Sequence, residues 1–290
     1  MSGSLFVLVT GATGQQGGAL AHLLLKKGHQ VRAVTRKPES PAAKELQKAG
    51  AELAIGSFDD RGALERAADG VDAVFAMGTP YEVGPDAETR QGIALVDALK
   101  AAHVKHLVYT SVGNADRHTG IPHFDSKYEV EQHIKSLDLP YTIIAPVFFM
   151  ENLLSPWFLP GLKDGKFTIA LPGARRLQYI AVADIAEFAL MVLEGRGQFL
   201  GKRIDLASDE LTPVEVAEIL TRASGRKIEH VEVPIEQVRA WSEDWAKMFE
   251  WFDQVGYSAD IAGLRREYPQ VGWHTFEAWA QLQDWKLLEG

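Results

Sequence analysis

Three glycines at intervals of three residues, Gly11, Gly14 and Gly17, have the types and spacing that point most directly to chemistry. They follow the apolar run 5–9 and precede an apolar helical pattern at 19–25, so they occupy a turn between a strand and a helix. Glycine allows a sharp turn and a close approach of the backbone to a phosphate. The following helix directs its unpaired amide N–H groups at the anion. The spacing therefore predicts a dinucleotide-binding loop, the alternative being glycines required for turn geometry alone.

The residues after the second and third strands bear on which nucleotide the loop holds. In NAD-binding units an acidic residue at the end of the second strand accepts hydrogen bonds from the adenosine ribose. Here Gln30–Thr35 is followed by Arg36 and Lys37 instead. A guanidinium pairs bidentately with a 2′-phosphate, so this pair predicts NADP(H), the alternative being a solvated basic surface. Asp59 has two open roles, as an acceptor from the adenine amino group or as the cap of the helix that begins near Arg61.

Apolar runs and helical patterns alternate through the first half of the chain. Strands are predicted at 5–9, 30–35, 51–55, 71–77, 106–112 and 141–147, and the later helices at 41–49, 61–68, 87–102 and 124–137. β-branched runs separated by helices indicate a parallel sheet covered on both faces. The sequence therefore predicts an α/β fold with a doubly wound, Rossmann-type parallel sheet and right-handed crossovers.

Beyond about residue 150 this alternation stops, which predicts a smaller C-terminal α+β lobe. We expect a short helix and turn at 152–159, strands at 167–171, 177–180 and 203–207, a helix at 185–193 capped by Asp184, and another opened by the capping box at 212–215. Aromatic and apolar residues at helical spacing then form one face, which either packs in the core or walls a pocket for a flat substrate: Trp241, Trp245, Met248, Phe249 and Phe252. The predicted domains are 1–150, with 177–207 returning to it, and a lobe of 151–176 and 208–290.

Composition narrows the classes of partner. The net charge of -9 argues against a protein that binds the phosphate backbone of nucleic acids. The chain contains no cysteine, which excludes disulfides, thiolate nucleophiles and cysteine-ligated metals and fits the cytoplasm. No apolar run reaches the ~18 residues of a membrane span, and the basic segment of a signal peptide is lacking at the N-terminus. His103 and His106 are three residues apart, but without nearby carboxylates or cysteines they predict no metal site.

Several stretches resemble the NmrA-like family of atypical short-chain dehydrogenases/reductases, and the resemblance covers nearly the whole chain. They are VTGATGQQGG, VRAVTRKP, HFDSKYEVEQHIK, APVFFMENLL and the tail stretch WFDQVGYSADIAGLRREYP. The resemblance implies that NADP(H) lies across the carboxyl ends of the strands and that a small C-terminal lobe closes over the nicotinamide.

The resemblance also implies a set of cofactor-binding positions. The phosphate loop is implied to be Gly11, Thr13, Gly14, Gln15, Gln16 and Gly17. Arg36 matches the 2′-phosphate position, Lys127 the lysine on the nicotinamide ribose, and Arg90 a basic residue that faces the cofactor. The loop near that ribose is implied to be Gly78, Thr79 and Pro80, and the loop that lines the nicotinamide is implied to be Phe149, Met150, Glu151 and Asn152.

The chain departs from the superfamily at its proton donor. Reductases of the superfamily usually place a tyrosine four residues before the lysine, where the ammonium lowers the phenol pKa. Four residues before Lys127 stands His123, and Tyr128 is at the wrong offset because adjacent helical side chains point apart. Ser111 matches a hydroxyl that steadies a substrate carbonyl. The candidate catalytic set is therefore Ser111, His123 and Lys127, in which His123 either donates a proton or is structural.

Two functions remain open at this point. One is an NADP(H)-binding protein that is either a redox sensor acting on a regulatory protein partner or a weak reductase that lacks the usual catalytic tyrosine. The other is an NADPH-dependent oxidoreductase that reduces a small quinone-like, azo or conjugated carbonyl acceptor.

Overall fold

Seven strands of the computed structural model, which describes residues 3–80 and 83–289, form one parallel sheet. The strands of the chain are β1 Phe6–Val9, β2 Gln30–Thr35, β3 Glu52–Ile55, β4 Ala73–Met77, β5 Leu107–Thr110, β6 Tyr141–Pro146, β7 Phe148–Phe149, β8 Lys166–Ile169, β9 Leu177–Ile180, β10 Arg203–Leu206, β11 Asp209–Leu211 and β12 Glu229–Glu232. The helices are α1 Gln15–Lys26, α2 Pro41–Lys48, α3 Arg61–Ala68, α4 Pro85–Ala101, α5 Pro122–Ser136, α6 Leu159–Lys163, α7 Val182–Glu194, α8 Arg196–Phe199, α9 Pro213–Ser224, α10 Ile235–Arg239, α11 Glu243–Gln254, α12 Ile261–Glu267 and α13 Phe276–Gln281.

The order of the sheet confirms the doubly wound topology. Its strands lie in the order β10-β6-β5-β4-β1-β2-β3. The chain therefore proceeds from β1 to β3 in one direction, returns to β4 on the other side of β1 and continues outward. Val7 of β1 is paired in parallel with Val31 of β2 and with Ala73 of β4. The change of direction between β1 and β4 is a topological switch point, where open α/β sheets bind ligands at the carboxyl ends of their strands.

Burial explains why these short segments form central strands. Val7, Leu8 and Val9 of β1 all have 0% exposed surface. On one face of the sheet, Leu8 belongs to an apolar cluster with residues of α3, α4 and α5, including Leu64, Leu95 and Val130. The near-continuous apolar runs of the sequence are those of strands covered on both faces.

The chain divides into two compact units. The first comprises Met1–His118, Pro122–Ala145 and Ile185–Ile204, and the second comprises Thr119–Ile121, Pro146–Asp184 and Asp205–Gly290. The segment that returns to the first unit is thus shorter than the predicted 177–207. Its first part differs because β9 pairs with β7 and β11 in a separate three-stranded sheet.

The second unit contains two small sheets. The strand predicted at 167–171 forms as β8, which begins one residue earlier and ends two residues earlier. It pairs in parallel with β12, whereas β9 belongs to the other sheet. The capping box is present as predicted, since Thr212 and Glu215 exchange hydrogen bonds at the start of α9. The short helix and turn predicted at 152–159 form as a 3-10 helix at Met150–Leu154 and a turn at 156–158, after which α6 begins at Leu159.

The predicted cap of the helix at 185–193 needs correction. Helix α7 begins at Val182, so Asp184 lies within its first turn instead of capping it. The Asp184 carboxylate is engaged elsewhere, by Nδ1 of His274 at 2.5 Å and by the His274 backbone N–H at 3.0 Å. Burial raises the pKa of Asp184, against the opposing effect of His274.

The predicted aromatic face is divided between core and surface. Met248, Phe249 and Phe252 are buried, whereas Trp241 lies before α11 and is 53% exposed. Its ring stacks on that of Trp157 with centroids 5.7 Å apart.

Within residues 3–80 and 83–289, the helices are all too short or too polar to cross a membrane.

Candidate cofactor site

The glycine loop between β1 and α1 is packed so closely that two of its positions require glycine. Gly11 has a φ of +61°, in the left-handed region that other residues rarely adopt. A Cβ on Gly17 would lie 2.4 Å from the carbonyl oxygen of Gly11 and 2.7 Å from that of Thr10. The loop therefore folds back onto the start of α1, and this close approach needs both glycines.

The start of α1 suits an anion. Its N-cap is Gly14, no side chain caps it, and its first turn contains no acidic residue. Thr13, Gly14 and Gln15 are exposed there. Gln16 is partly buried, and its Oε1 accepts a hydrogen bond of 2.8 Å from Thr110 at the end of β5. The exposed amide end of the helix is the feature that binds phosphates in dinucleotide folds.

The adenosine end of the predicted site lies after β2 and β3. Arg36 and Lys37 are exposed directly after β2. Asp59 accepts hydrogen bonds from the Gln91 amide at 3.1 and 3.2 Å. The cap of α3 is Asp60, whose Oδ1 accepts from the N–H of Ala63 at 2.9 Å, so the alternative role of Asp59 as that cap is wrong. Its role at an adenine amino group stays a prediction.

The sheet order places the predicted loops of the first unit side by side along one edge. Strands β5, β4, β1, β2 and β3 are consecutive neighbours and run in parallel, so their carboxyl ends meet at the same edge. The residues that follow these ends are, in the same spatial order, Ser111, Gly78–Pro80, the glycine loop, Arg36–Lys37 and Asp59. The glycine loop thus lies between the basic pair on one side and Gly78 on the other.

Lys127 is bound to a buried carboxylate. Its Nζ donates a hydrogen bond to Oε1 of Glu88 and another, of 3.3 Å, to the carbonyl oxygen of Gly78. The Glu88 side chain is 0% exposed and the Lys127 side chain 12% exposed. Oε2 of Glu88 accepts a 2.6 Å hydrogen bond from Ser126. Sequence reasoning missed Glu88, although its helical spacing from the buried positions Leu95 and Leu99 puts it on the inner face of α4.

The other two candidate catalytic residues are also buried. Ser111, 4% exposed, donates a 2.5 Å hydrogen bond to Glu131, which also accepts from Nε of Arg203 at 2.9 Å. His123 is 5% exposed and lies four residues before Lys127 on α5. The structure therefore places His123 and Lys127 on one helix, as the spacing predicts, but it commits the Ser111 hydroxyl to a carboxylate.

Arg90 occupies an exposed position on α4. Its guanidinium donates to the backbone carbonyl of Asp86, one turn earlier, at 3.2 Å. Its contact with a cofactor stays a prediction. Thr79 is partly buried beside Gly78, and Pro80 is buried.

The loop predicted to line the nicotinamide belongs to the second unit. Met150 has 0% exposed surface, so its side chain is part of the core. Glu151 accepts hydrogen bonds from the Val182 N–H at 3.0 Å and from the Trp279 indole at 3.1 Å, and burial raises its pKa. The side chains of Met150 and Glu151 therefore anchor the loop to the interior of the second unit. Phe149 and Asn152 are partly exposed.

A model of the NmrA-like family matches residues 4–280, which is nearly the whole chain. The chain belongs to the NmrA-like family. It is 32% identical over 235 residues to the (4-alkanoyl-5-oxo-2,5-dihydrofuran-3-yl)methyl phosphate reductase of Streptomyces griseus, covering 80% of this chain and 79% of that protein.

Solved structures of the same fold agree with this assignment. An NADPH-dependent quinone oxidoreductase of Escherichia coli, complexed with NADPH, has a TM-score of 0.78 at 26% identity and covers 95% of this NmrA-like chain and 98% of its own. The negative transcriptional regulator NmrA, in complex with NADP, has a TM-score of 0.79 at 22% identity over 97% and 99% of the two chains. The second likeness concerns the fold alone.

Proposed function

We propose that this NmrA-like protein binds NADP(H) along the carboxyl edge of its seven-stranded sheet. The observation that carries the proposal is the close packing of Gly17 against the Gly11 carbonyl. This packing leaves the start of α1 exposed at the topological switch point of the sheet, where a phosphate can approach it. Arg36, on the neighbouring strand end, supplies the guanidinium that distinguishes a 2′-phosphate from a hydroxyl. The quinone oxidoreductase that shares the fold was solved with NADPH, which supports the same cofactor here.

The residues present suit the two halves of the dinucleotide differently. Arg36, Lys37 and Asp59 would bind the adenosine end, and the unpaired N–H groups at the start of α1 would bind the diphosphate. Lys127 and the Gly78–Pro80 loop would bind the nicotinamide ribose. When bound, NADPH supplies a hydride, so the protein has only to position an acceptor and deliver a proton.

The function that this geometry supports best is a redox sensor with at most weak reductase activity. Catalytic proton transfer needs a donor within hydrogen-bond reach of the acceptor. The Ser111 hydroxyl donates to Glu131, the Lys127 ammonium donates to Glu88, and His123 is buried. A sensor needs a difference in free energy between two protein states, which binding of NADP(H) would supply to a regulatory protein partner. NmrA, a negative transcriptional regulator solved with NADP, is a protein of this fold in which NADP binding and a regulatory role occur together, which supports the proposal.

A second candidate is an NADPH-dependent oxidoreductase of a small conjugated acceptor. It is favoured by the reductase that is 32% identical and by the quinone oxidoreductase of the same fold. Water or His123 would then deliver the proton, since the hydride itself comes from the cofactor. With no cysteine in the chain, the reducing cytoplasm suits either function.

Steady-state oxidation of NADPH against quinones, azo dyes and conjugated carbonyls separates the two candidates. The sensor predicts tight NADPH binding, turnover near background with every acceptor, and cofactor-dependent protection of residues 150–175 from proteolysis. Rapid turnover that Lys127→Ala abolishes would establish the reductase instead. A wild-type protein that binds NADPH no more tightly than NADH would contradict the proposed cofactor.

A further inference from the structure

We infer that Glu88 is a positioning residue for Lys127: it fixes the ammonium beside Gly78 and offsets its charge. The inference rests on the proposed NADP(H) site and concerns how its nicotinamide end is built. Lys127 would then meet the cofactor as an oriented hydrogen-bond donor in a pair with almost no net charge.

The contacts around Glu88 account for both carboxylate oxygens. Oε1 accepts from Lys127 and Oε2 accepts from Ser126 at 2.6 Å, and both donors lie on α5. Because the Glu88 side chain is 0% exposed, solvent does not stabilise its charge. A buried carboxylate without a partner is strongly unfavourable, so Glu88 holds the ammonium at this point.

The loop after β4 is packed on the same carboxylate. A Cβ on Gly78 would lie 3.0 Å from Oε1 of Glu88 and 3.1 Å from its Cγ, so the backbone of this loop approaches as closely as glycine allows. The Gly78 carbonyl in turn accepts from Lys127 at 3.3 Å. Glu88, Lys127 and Gly78 thus form a closed set of contacts in which each fixes the other two.

The charge of Glu88 also bears on the missing tyrosine. A lysine lowers the pKa of a neighbouring proton donor through its positive charge. A carboxylate in contact with the ammonium cancels most of that field at longer range. Glu88 therefore leaves Lys127 able to hold a ribose but poorly able to activate a donor, in agreement with the sensor function.

Binding of two ligands to four proteins tests the inference. The ligands are NADPH and 2′,5′-ADP, which carries the 2′-phosphate but lacks the nicotinamide ribose. The proteins are wild type, Glu88→Gln, Lys127→Met and the double variant. We expect each single variant to weaken NADPH binding about tenfold and to leave 2′,5′-ADP binding within about twofold of wild type, because only the nicotinamide end changes. Glu129→Gln, an exposed matched change on α5, should bind both ligands like wild type.

The double variant distinguishes positioning from a general structural role. If Glu88 acts through Lys127, Glu88→Gln adds nothing to Lys127→Met, and the double variant binds NADPH as Lys127→Met does. A further tenfold loss in the double variant, or NADPH binding by Glu88→Gln equal to wild type, would overturn the inference. Lys127→Met leaves the buried Glu88 carboxylate without its partner. If that variant does not fold, the double variant, in which neither side chain is charged, is compared with Glu88→Gln, and equal NADPH binding by these two proteins is the expected result.

The proposed function has its own outcome in the same experiment. If wild type binds neither ligand, the proposed cofactor site is refuted, and the inference about Glu88 is refuted as well. If wild type binds both and Glu88→Gln matches it, NADP(H) binding stands and only the role of Glu88 is overturned.

Discussion

Gly92 of α4 lies directly against Val130 of α5, at a distance that leaves no space for a side chain. A Cβ on Gly92 would be 2.5 Å from Cγ2 of Val130. Gly92 is one turn after Glu88, and Val130 is three residues after Lys127. The close approach of the two helices at Gly92 is therefore what brings the Lys127 ammonium to the Glu88 carboxylate.

A methyl group at this crossing should weaken both stability and cofactor binding. Gly92→Ala forces α5 away from α4, and overpacking of this kind costs about 1–3 kcal/mol of the free energy of unfolding. The separation of Lys127 from Glu88 should weaken binding of NADPH more than that of 2′,5′-ADP. Urea unfolding and ligand titration measure the two effects. Gly197→Ala is the control, because its Cβ meets nothing within 4 Å.

The phosphate loop should be equally intolerant of a side chain. In Gly17→Ala the new Cβ would lie 2.4 Å from the carbonyl oxygen of Gly11, so the loop must move off the start of α1. We expect NADPH to lose affinity by a factor of about 100 or more and 2′,5′-ADP to lose less, because NADPH places both phosphates of its diphosphate on the loop and 2′,5′-ADP only its 5′-phosphate. Titration by fluorescence measures both. Unchanged affinity would mean that α1 does not bind the diphosphate.

The sequence predicts the N-terminal half of the chain well because the patterns that specify its strands and helices are local. A glycine turn between an apolar strand and a helix has one common solution, so β1, the loop and α1 form as expected. The strand Gln30–Thr35 forms with the bounds that the sequence predicts, for the same reason. The sheet order then follows from short right-handed crossovers, which leave few alternatives.

Features made by distant residues escape such reasoning. Asp184 stands where a helix cap is common, yet His274, far along the chain, binds its carboxylate and α7 begins earlier. Glu88 and Glu131 lie in helices whose polar residues look solvated, but each is buried against a basic partner. Which basic residue each carboxylate meets depends on how α4, α5 and β10 pack against each other. A pattern within a single helix or strand does not specify that packing.

Reversal of the charge at Arg36 should change the preferred nucleotide. In Arg36→Glu the carboxylate repels a 2′-phosphate and can accept from a ribose hydroxyl. We expect NADPH binding to weaken at least about 50-fold and NADH binding to improve, so that the variant prefers NADH. Titration with both nucleotides checks this, with Arg266→Glu, an exposed position of the second unit, as the control. Undiminished affinity for NADPH would refute the assignment of Arg36.

The divided aromatic face predicts unequal contributions to stability. Phe252 has 0% exposed surface and contacts four other rings, those of Phe148, Phe249, Trp251 and Tyr257. Phe252→Ala should cost about 3–5 kcal/mol of the free energy of unfolding. Trp241, 53% exposed, loses only its contacts with the rings of Trp157 and Trp245, so Trp241→Ala should cost about 1–2 kcal/mol. Equal losses in urea unfolding would contradict the division between core and surface.

His106 should make the protein less stable in mild acid. Its Nε2 bonds Thr142 at 2.9 Å, and because the Thr142 hydroxyl donates to the Phe199 carbonyl, that nitrogen carries the proton. Nδ1 has no partner among the described residues. Burial, with a smaller effect of the Arg196 charge, lowers the pKa of His106 from 6.5 to about 4.

The direction of the effect follows from which state binds the proton. Between pH 6.5 and 4 the unfolded chain protonates this histidine and the folded protein does not, so stability present above pH 6.5 is lost as the pH falls. From pH 7 to pH 5 the loss amounts to about 2 kcal/mol of the free energy of unfolding. His106→Gln keeps a donor for Thr142 but does not titrate. Its free energy of unfolding should therefore fall about 2 kcal/mol less than that of wild type between pH 7 and pH 5. Urea unfolding of both proteins at the two pH values measures the difference, and parallel losses would show that His106 is not the responsible group.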